Sequence, residues 1–391
     1  MIKRIRHIIF LRDVLILSLS AFGGPQAHLA LFLKVFVEKR GYLSEKELIE
    51  LNALCQVLPG PTSTQTITAL GYRIGGSRLA YLTLLIWALP AVSIMTIVGI
   101  VMSHFAEKEI STQFTRYIQP MAVGFVGYAS IKIAWKVVKT KSAFLLMSLS
   151  AILLYLFPSP YIIPILLFLA GGITAFKFQK QPIEEKAGIQ IKWKNFILWA
   201  GVLLVAALAG HYTRILPIRL FENFYRNGSI IFGGGHVLVP LLFTEFVDFK
   251  DYLSSEEFLT GFAIVQAVPG PVFSFSAYVG ALSMREYGIL GEIMGGIIAS
   301  AGIFLPGTFL IFFLIRFWDN LKQYRIIRAS LEGITAASTG LLITATVFLL
   351  EPLDLDPLNL FIVLGTFTIL NYISSLAPVL IIVGLLAGIF L

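Results

Sequence analysis

The sequence predicts an all-α polytopic membrane protein whose two homologous halves form an inverted repeat, and three observations carry that expectation. Of 391 residues, 57% are hydrophobic and only 13% charged, about half of the roughly 25% charge of a soluble domain. Apolar stretches of about 20 residues, enough to cross a bilayer, recur along the chain, without the alternating pattern of a membrane β-barrel. The third observation is a duplication. Sliding the chain by 210 positions lays Phe22-Gly23-Gly24 on Phe232-Gly233-Gly234, Gln56 on Gln266 and Pro59-Gly60-Pro61 on Pro269-Gly270-Pro271, with about fifteen of forty positions identical. A period of half the chain excludes a solenoid. In so apolar a chain, duplicated segments interrupted by Gly and Pro point to a secondary transporter with its site at the repeat interface.

The elements follow in order. Lys3, Arg4 and Arg6 precede an apolar segment that halts at Gly23-Gly24-Pro25. It runs directly into the repeated motif, so it is read as a first membrane segment behind a cytoplasmic tail and not as a cleaved signal. Gln26 to Val37 resumes the apolar pattern. Ser44 with Glu47 three residues on predicts a capping box opening a charged helix. Pro59-Gly60-Pro61 breaks the next apolar run, and spans follow at about Leu79 to Met102 and Ile118 to Val138. A hairpin turned at Pro158-Ser159-Pro160, a basic linker over 177–194 and a span over Phe196 to Gly210 lead to the second copy. There the breaks return at Gly233-Gly234-Gly235 and Pro269-Gly270-Pro271, with spans at Tyr287 to Phe317 and Ala329 to Leu350 and a last hairpin. The domain division read from this pattern is a first repeat over 1–141, a connecting hairpin, linker and span over 142–212, a second repeat over 213–350 and a C-terminal hairpin over 351–391.

Formal net charge is +8, read as the positive-inside bias of cytoplasmic loops. Basic residues spread along loops give no nucleic-acid surface. Lys136, Lys139 and Lys141 end the Ile118 to Val138 span, whereas Arg316, Lys322, Arg325 and Arg328 precede its counterpart, which ends at Glu351, Asp354 and Asp356. The two halves therefore point in opposite directions, with the N-terminus cytoplasmic in the inner membrane. Arg214, Arg219 and Arg226 fall on the outer side in this scheme, without a sequence-level reason. Cys55 is the only cysteine, which excludes an internal disulfide or a thiolate cluster. The histidines show no metal-ligand spacing, no nucleophile–base pair or P-loop argues for an enzyme, and no cofactor is expected.

Non-helical backbone is tolerated at membrane depth only where protein buries it or it lines a watery cavity. A helix following such a break has unpaired first-turn N–H groups and a partial positive charge. Four helix starts, near Gln26, Thr62, His236 and Val272, would cradle an oxyanion. Glycines allow close approach of the backbone. Gln26, Gln56, Thr62, Ser63, Thr64 and Gln65 around the first pair of breaks, and His236, Gln266, Ser274 and Ser276 around the second, add neutral donors. Such donors bind an anion without burying a cation. Intramembrane charges are the other candidates: Lys34, Lys132 and Arg285 for steering the anion, Glu292 and Glu332 for a coupling proton, with Glu292 foremost and His236 able to titrate near neutral pH.

Phe-Gly-Gly, a capped charged helix and Gln-x-x-Pro-Gly-Pro, occurring in two halves, make this chain resemble the chromate ion transporter family in its long, two-domain form. The resemblance implies chromate efflux driven by the proton motive force across a bacterial inner membrane, with sulfate as a competing oxyanion. By motif position it assigns Phe22, Gly23, Gly24, Pro25, Gln56, Pro59, Gly60 and Pro61 to the site, and in the second half Phe232, Gly233, Gly234, Gln266, Pro269, Gly270 and Pro271. Gly235 and His236 replace Pro25 and Gln26, so the half-sites are not chemically equivalent. The partners implied are a chromate or sulfate-like oxyanion and the lipid bilayer. A homodimer is compatible with the sequence, and the alternative readings are a transporter of another small oxyanion such as sulfate or molybdate, import, a passive anion channel or a membrane-embedded enzyme.

Overall fold

Serine followed three residues later by glutamate starts the same helix in both halves. The Ser44 N–H donates to Glu47 Oε2 at 2.8 Å, and Ser44 Oγ accepts the Glu47 N–H at 3.3 Å. Ser254 and Glu257 repeat the pair at 2.9 and 3.1 Å. These bonds come from a computed structural model, which describes residues 2–22, 24–107, 113–159, 161–176, 193–232, 235–315, 325–351, 353, 356–373 and 376–390. Gly23, Gly233, Gly234, Arg316, Lys322, Asp354 and linker residues 177–192 lie outside the described residues, as do the side chains of Pro25, Gln26 and His236.

The first half runs α1 (Ile2–Ser18), α2 (Gly24–Phe32), a π-helical turn (Leu33–Lys39), α3 (Glu45–Val57), α4 (Thr62–Glu107), α5 (Ile118–Val137), α6 (Lys141–Leu156) and α7 (Ile162–Ala175). After α8 (Lys194–Thr213) the order returns as α9 (Leu216–Ile230), α10 (Gly235–Phe243), a second π-helical turn (Thr244–Phe249), α11 (Ser255–Ala267), α12 (Phe275–Ser283), α13 (Gly288–Leu314), α14 (Arg325–Leu350), α15 (Pro357–Tyr372) and α16 (Ala377–Phe390). The repeat extends to detail. Both π-helical turns close with the same bond, Tyr42 N–H to the Phe36 carbonyl and Tyr252 N–H to the Phe246 carbonyl, each 2.8 Å. Helix α4 kinks at Gly76 (φ +74°), and Gly288 (φ +67°) stands at the corresponding point between α12 and α13.

Among the described residues, Thr62–Phe105, Lys194–Thr213, Arg285–Leu314 and Ala329–Leu350 are long and apolar enough to cross a membrane, and five shorter helices are apolar. The chain is thus an all-helical, multi-pass membrane protein. The two halves are interwoven. Hairpin α6–α7 of the first half packs on α14 of the second, and α15 of the second packs on α5 of the first. Small residues permit these crossings. Gly333 and Gly340 of α14 lie against the carbonyls of Ala170 and Met147, and Gly124 of α5 against that of Val363, with no room for a Cβ. Close backbone approach of this kind is how helices associate in a medium as apolar as their side chains.

Ion pairs anchor α1 and α9 to the π-helical turns differently. In the first half Arg40 Nη2 lies 2.7 Å from Asp13 Oδ1, and the Tyr42 hydroxyl donates to Asp13 Oδ2 at 3.2 Å. Asn223 replaces Asp13 in the second half. There Arg226 reaches Glu222 at 3.0 Å and both oxygens of Glu245 at 3.0 Å, and Lys250 meets Glu245 at 2.8 Å. The Arg226 guanidinium also lies over the Tyr161 ring at the start of α7. Arg226, out of place as a loop charge, is therefore the centre of a structural network.

Burial decides the worth of these pairs. Glu245 is 1% exposed, and Glu245→Ala would strand two cations, which costs about 3–5 kcal/mol. Arg73 and Glu47 form an exposed pair at 3.2 Å, a kind worth about 0–1 kcal/mol. Thermal unfolding in detergent is expected to show a large loss for Glu245→Ala and almost none for Arg73→Ala.

Candidate anion site

Each Pro-Gly-Pro break turns on a glycine whose backbone resists a side chain, with φ of +116° at Gly60 and +114° at Gly270. A Cβ at Gly60 would stand 2.7 Å from Gln65 Nε2, and one at Gly270 3.0 Å from the Ala91 methyl. Only glycine meets both the dihedral and the space. So turned, each glycine N–H leaves its own half. Gly60 donates to the Ile231 carbonyl at 2.7 Å, and Gly270 to the Ala21 carbonyl at 2.8 Å. Residues 21 and 231 are counterparts, as are 60 and 270. The contact is reciprocal, as a two-fold relation between the halves requires.

His28 knits the first half's two breaks together. Its Nε2 lies 3.1 Å from the Ala21 carbonyl, and its Nδ1 lies 3.0 Å from Ser63 Oγ. A carbonyl only accepts, so Nε2 carries the hydrogen, and in the neutral ring Nδ1 accepts from the Ser63 hydroxyl. The hydrogen-bonded path thus runs from Gly270 through Ala21 and His28 to Ser63. Ser63 stands in the first turn of α4, just after the break at Gly60, which continues the path to Ile231. His28 is a residue that sequence reasoning missed, since it was weighed only as a metal ligand.

Around this path the first half is polar. Thr62, Ser63 and Thr64 are all buried, and the Trp87 indole N–H donates to Thr64 Oγ1 at 3.1 Å. Gln65 Nε2 donates to the Pro59 carbonyl at 2.5 Å, while its buried Oε1 has no partner among the described residues. The second half is aromatic: Leu238, Phe273 and Phe275 stand where the first has His28, Ser63 and Gln65. After Pro271 comes a 3₁₀ turn, Val272–Ser274, before α12 begins. Ser274 in that turn is fully buried and its hydroxyl has no partner among the described residues, whereas Ser276 donates to the Phe273 carbonyl at 2.7 Å.

The remaining candidates are spread more widely. Pro59, Pro61 and Pro271 are buried and Pro269 half-buried. Phe22 and Gln56 are exposed, whereas Phe232 and Gln266 are half-buried. Gly24 and Gly235 are the first residues of α2 and α10. Lys34 and Lys132 are exposed. Arg285 pairs with Glu257 at 2.5 Å, and Glu332 accepts from Thr140 at 2.7 Å. Glu292 is buried on α13, fifteen residues before the Gly307 that touches Gln65, which is about 22 Å along a helix. It is not at the junction of the breaks. No group of three metal-ligating side chains occurs among the described residues.

A multi-pass helical protein in which the broken segments of two homologous halves bond to each other has the architecture of a membrane transporter. The chromate transporter family model matches residues 9–176 and 218–389, one copy in each half, and the chain belongs to that family. It is 26% identical over 356 residues to an uncharacterized transporter of Methanocaldococcus jannaschii, covering 89% of this chain and 86% of that one. A probable chromate transport protein of Synechococcus elongatus is 26% identical over 339 residues, 85% of this chain and 82% of its own. A chromate transport protein of Cupriavidus metallidurans is 23% identical over 373 residues, 94% and 88% of the two chains. No solved structure matches the chain.

His28→Leu installs the residue that the second half carries at the same point. It removes both bonds of the ring, and leaving buried polar groups unpaired costs about 1–3 kcal/mol. A lower unfolding temperature in detergent with retained membrane insertion is expected; an unchanged one would mean that His28 does not hold the junction.

Proposed function

We propose that this protein is a secondary active transporter that exports chromate, or a sulfate-like oxyanion, across the cytoplasmic membrane by alternating access, driven by the proton motive force. The observation that carries the reading is the reciprocal pair of bonds from Gly60 to Ile231 and from Gly270 to Ala21, which ties the breaks of both halves to one another. Helix starts at Gly24, Thr62 and Gly235 and the turn at Val272 all adjoin these breaks. Their first-turn N–H groups and macrodipoles suit a tetraoxyanion. Thr62, Thr64 and the Ser274 hydroxyl, which has no partner among the described residues, supply neutral donors beside them, so a dianion is held without the cost of a buried cation. Chromate as the substrate follows the names of the Synechococcus and Cupriavidus relatives. Membership of a transporter family supports transport, and not an enzyme, as the reading.

Reciprocal contact fits a two-fold axis, and the opposed loop charges make it an axis in the membrane plane, hence an inverted repeat with the N-terminus cytoplasmic. The repeats over 1–141 and 213–350 are each extended by a hairpin, α6–α7 and α15–α16, and α8 joins the two halves. Glu292 and His236 are the titratable candidates for proton coupling, Glu292 acting along α13 and not by contact with the anion.

Chromate uptake into everted membrane vesicles tests the reading. Accumulation that needs an energised membrane, collapses with an uncoupler and is inhibited by sulfate is expected. Gly60→Leu, strained at φ +116° by about 1–3 kcal/mol, and Gln56→Ala are each expected to lower the rate at least tenfold while the protein still inserts. No accumulation in coupled vesicles would overturn chromate export.

A further inference from the structure

The two halves repeat in sequence and in element order, but two pairs of counterpart helices sit in very different surroundings. Helix α11 packs on α5 and α16, and α10 packs on α14. Their counterparts α3 and α2 pack chiefly on α4 and on their own π-helical turn. The contrast lies on one helix face, at positions i, i+3, i+4 and i+7. Leu259 on α11 is 1% exposed, whereas Ile49 on α3 is 53% exposed. Phe262 and Ala263 are buried, while Asn52 and Ala53 are half-buried. Gln266 is half-buried and Gln56 exposed. At the closed end Gln119 of α5 donates to Thr260 of α11 at 3.5 Å.

The open face is unsuited to lipid. It carries the exposed amide of Gln56, and beside it Asn52, half-buried and accepting from the Thr66 hydroxyl at 3.4 Å, behind a helix start bearing Glu45, Lys46 and Glu47; polar groups at membrane depth face water or protein. It also leads from the capped end of α3 to the break at Gly60, where the path between the halves begins.

We propose that the α3 face formed by Ile49, Asn52, Ala53 and Gln56 lines the open route of the oxyanion to the junction, and that the same face of α11 is the closed counterpart of that route. In the opposite state α3 docks on α14 and α7, the counterparts of α5 and α16, while α11 leaves its seat. The occupant is argued from continuity with the seat already filled: the two-fold relation that makes the breaks reciprocal makes this docking reciprocal too. The inference rests on the transporter reading above. With the basic residues of the first π-helical turn and α3 on the cytoplasmic side, the open route faces the cytoplasm, which is the loading side for an exporter.

Cys55 is buried, and Cys55→Ser gives a background without cysteine. In that background Ala53→Cys and Ala263→Cys change little volume at counterpart positions. With a hydrophilic maleimide added to the purified protein in detergent, where both sides are reachable, Ala53→Cys is expected to label at least ten times faster than Ala263→Cys. Equal rates, or faster labelling at Ala263→Cys, would overturn the proposal. A second measurement ties the closed end. Gln119→Cys with Thr260→Cys is expected to transport normally until a short bismaleimide joins the pair, then to lose at least nine-tenths of its rate. An undiminished rate in the joined protein would equally overturn it. Labelling needs no transported anion. If the labelling contrast holds and wild-type vesicles accumulate no chromate, the substrate reading falls and the route stands.

Discussion

A backbone N–H left without a partner inside a bilayer costs several kcal/mol, and this chain interrupts its apolar segments twice in each half. It meets that constraint by making each half complete the other. The glycine of each Pro-Gly-Pro turn, held at a φ near +115°, directs its N–H to the carbonyl at the end of the opposite half's first helix. The junction then depends on both halves at once, and the interweaving of the hairpins with α5 and α14 holds them in register. The two-fold relation between the halves follows from this one exchange of hydrogen bonds.

The exchange is symmetric, but its lining is not. The first half surrounds its breaks with His28, Ser63, Thr64, Gln65 and Trp87, joined in hydrogen bonds. The second places Leu238, Phe273 and Phe275 at the matching points, with Phe275 packed against Phe258 and Phe262. One half therefore offers polar groups and the other a rigid aromatic wall. Far from the junction the difference reverses. The second half's π-helical turn is fixed by the buried network of Arg226, Glu245 and Lys250, and the first half's by Asp13 with Arg40 and Tyr42.

Much of the architecture could be read from residues alone because its signals are local. Ser44 with Glu47, Pro59-Gly60-Pro61 and the 210-residue offset are each contained in a short window, and the helices they announce occur at those places. The capping bonds also hold the Glu47 carboxyl below its ordinary value of 4.5, through the Ser44 amide and hydroxyl. Their contribution is present above that value and is lost as pH falls through the lower, folded one. What escaped the sequence was non-local. Nothing near Gly60 says that its N–H meets Ile231. His28, considered only for metal spacing, gains its role from Ala21 and Ser63 folding around it. Arg226 read as a misplaced loop charge until Glu245 closed over it. Glu292, chosen because a carboxylate on an apolar helix is rare, stands well along α13 from the breaks. The π-helical turns were also missed, since one extra residue per turn leaves no mark in hydrophobic periodicity.

The central claim is that an oxyanion binds where the broken segments of the two halves meet. Hydrogen–deuterium exchange of the purified protein, followed by mass spectrometry of peptides covering 58–66 and 268–276, measures this at the backbone groups concerned. With sulfate present, and chloride at equal ionic strength as reference, both peptides are predicted to exchange more slowly while the hairpin α15–α16 is unchanged. Equal exchange in sulfate and chloride at both breaks would contradict the claim and move the anion site elsewhere in the membrane.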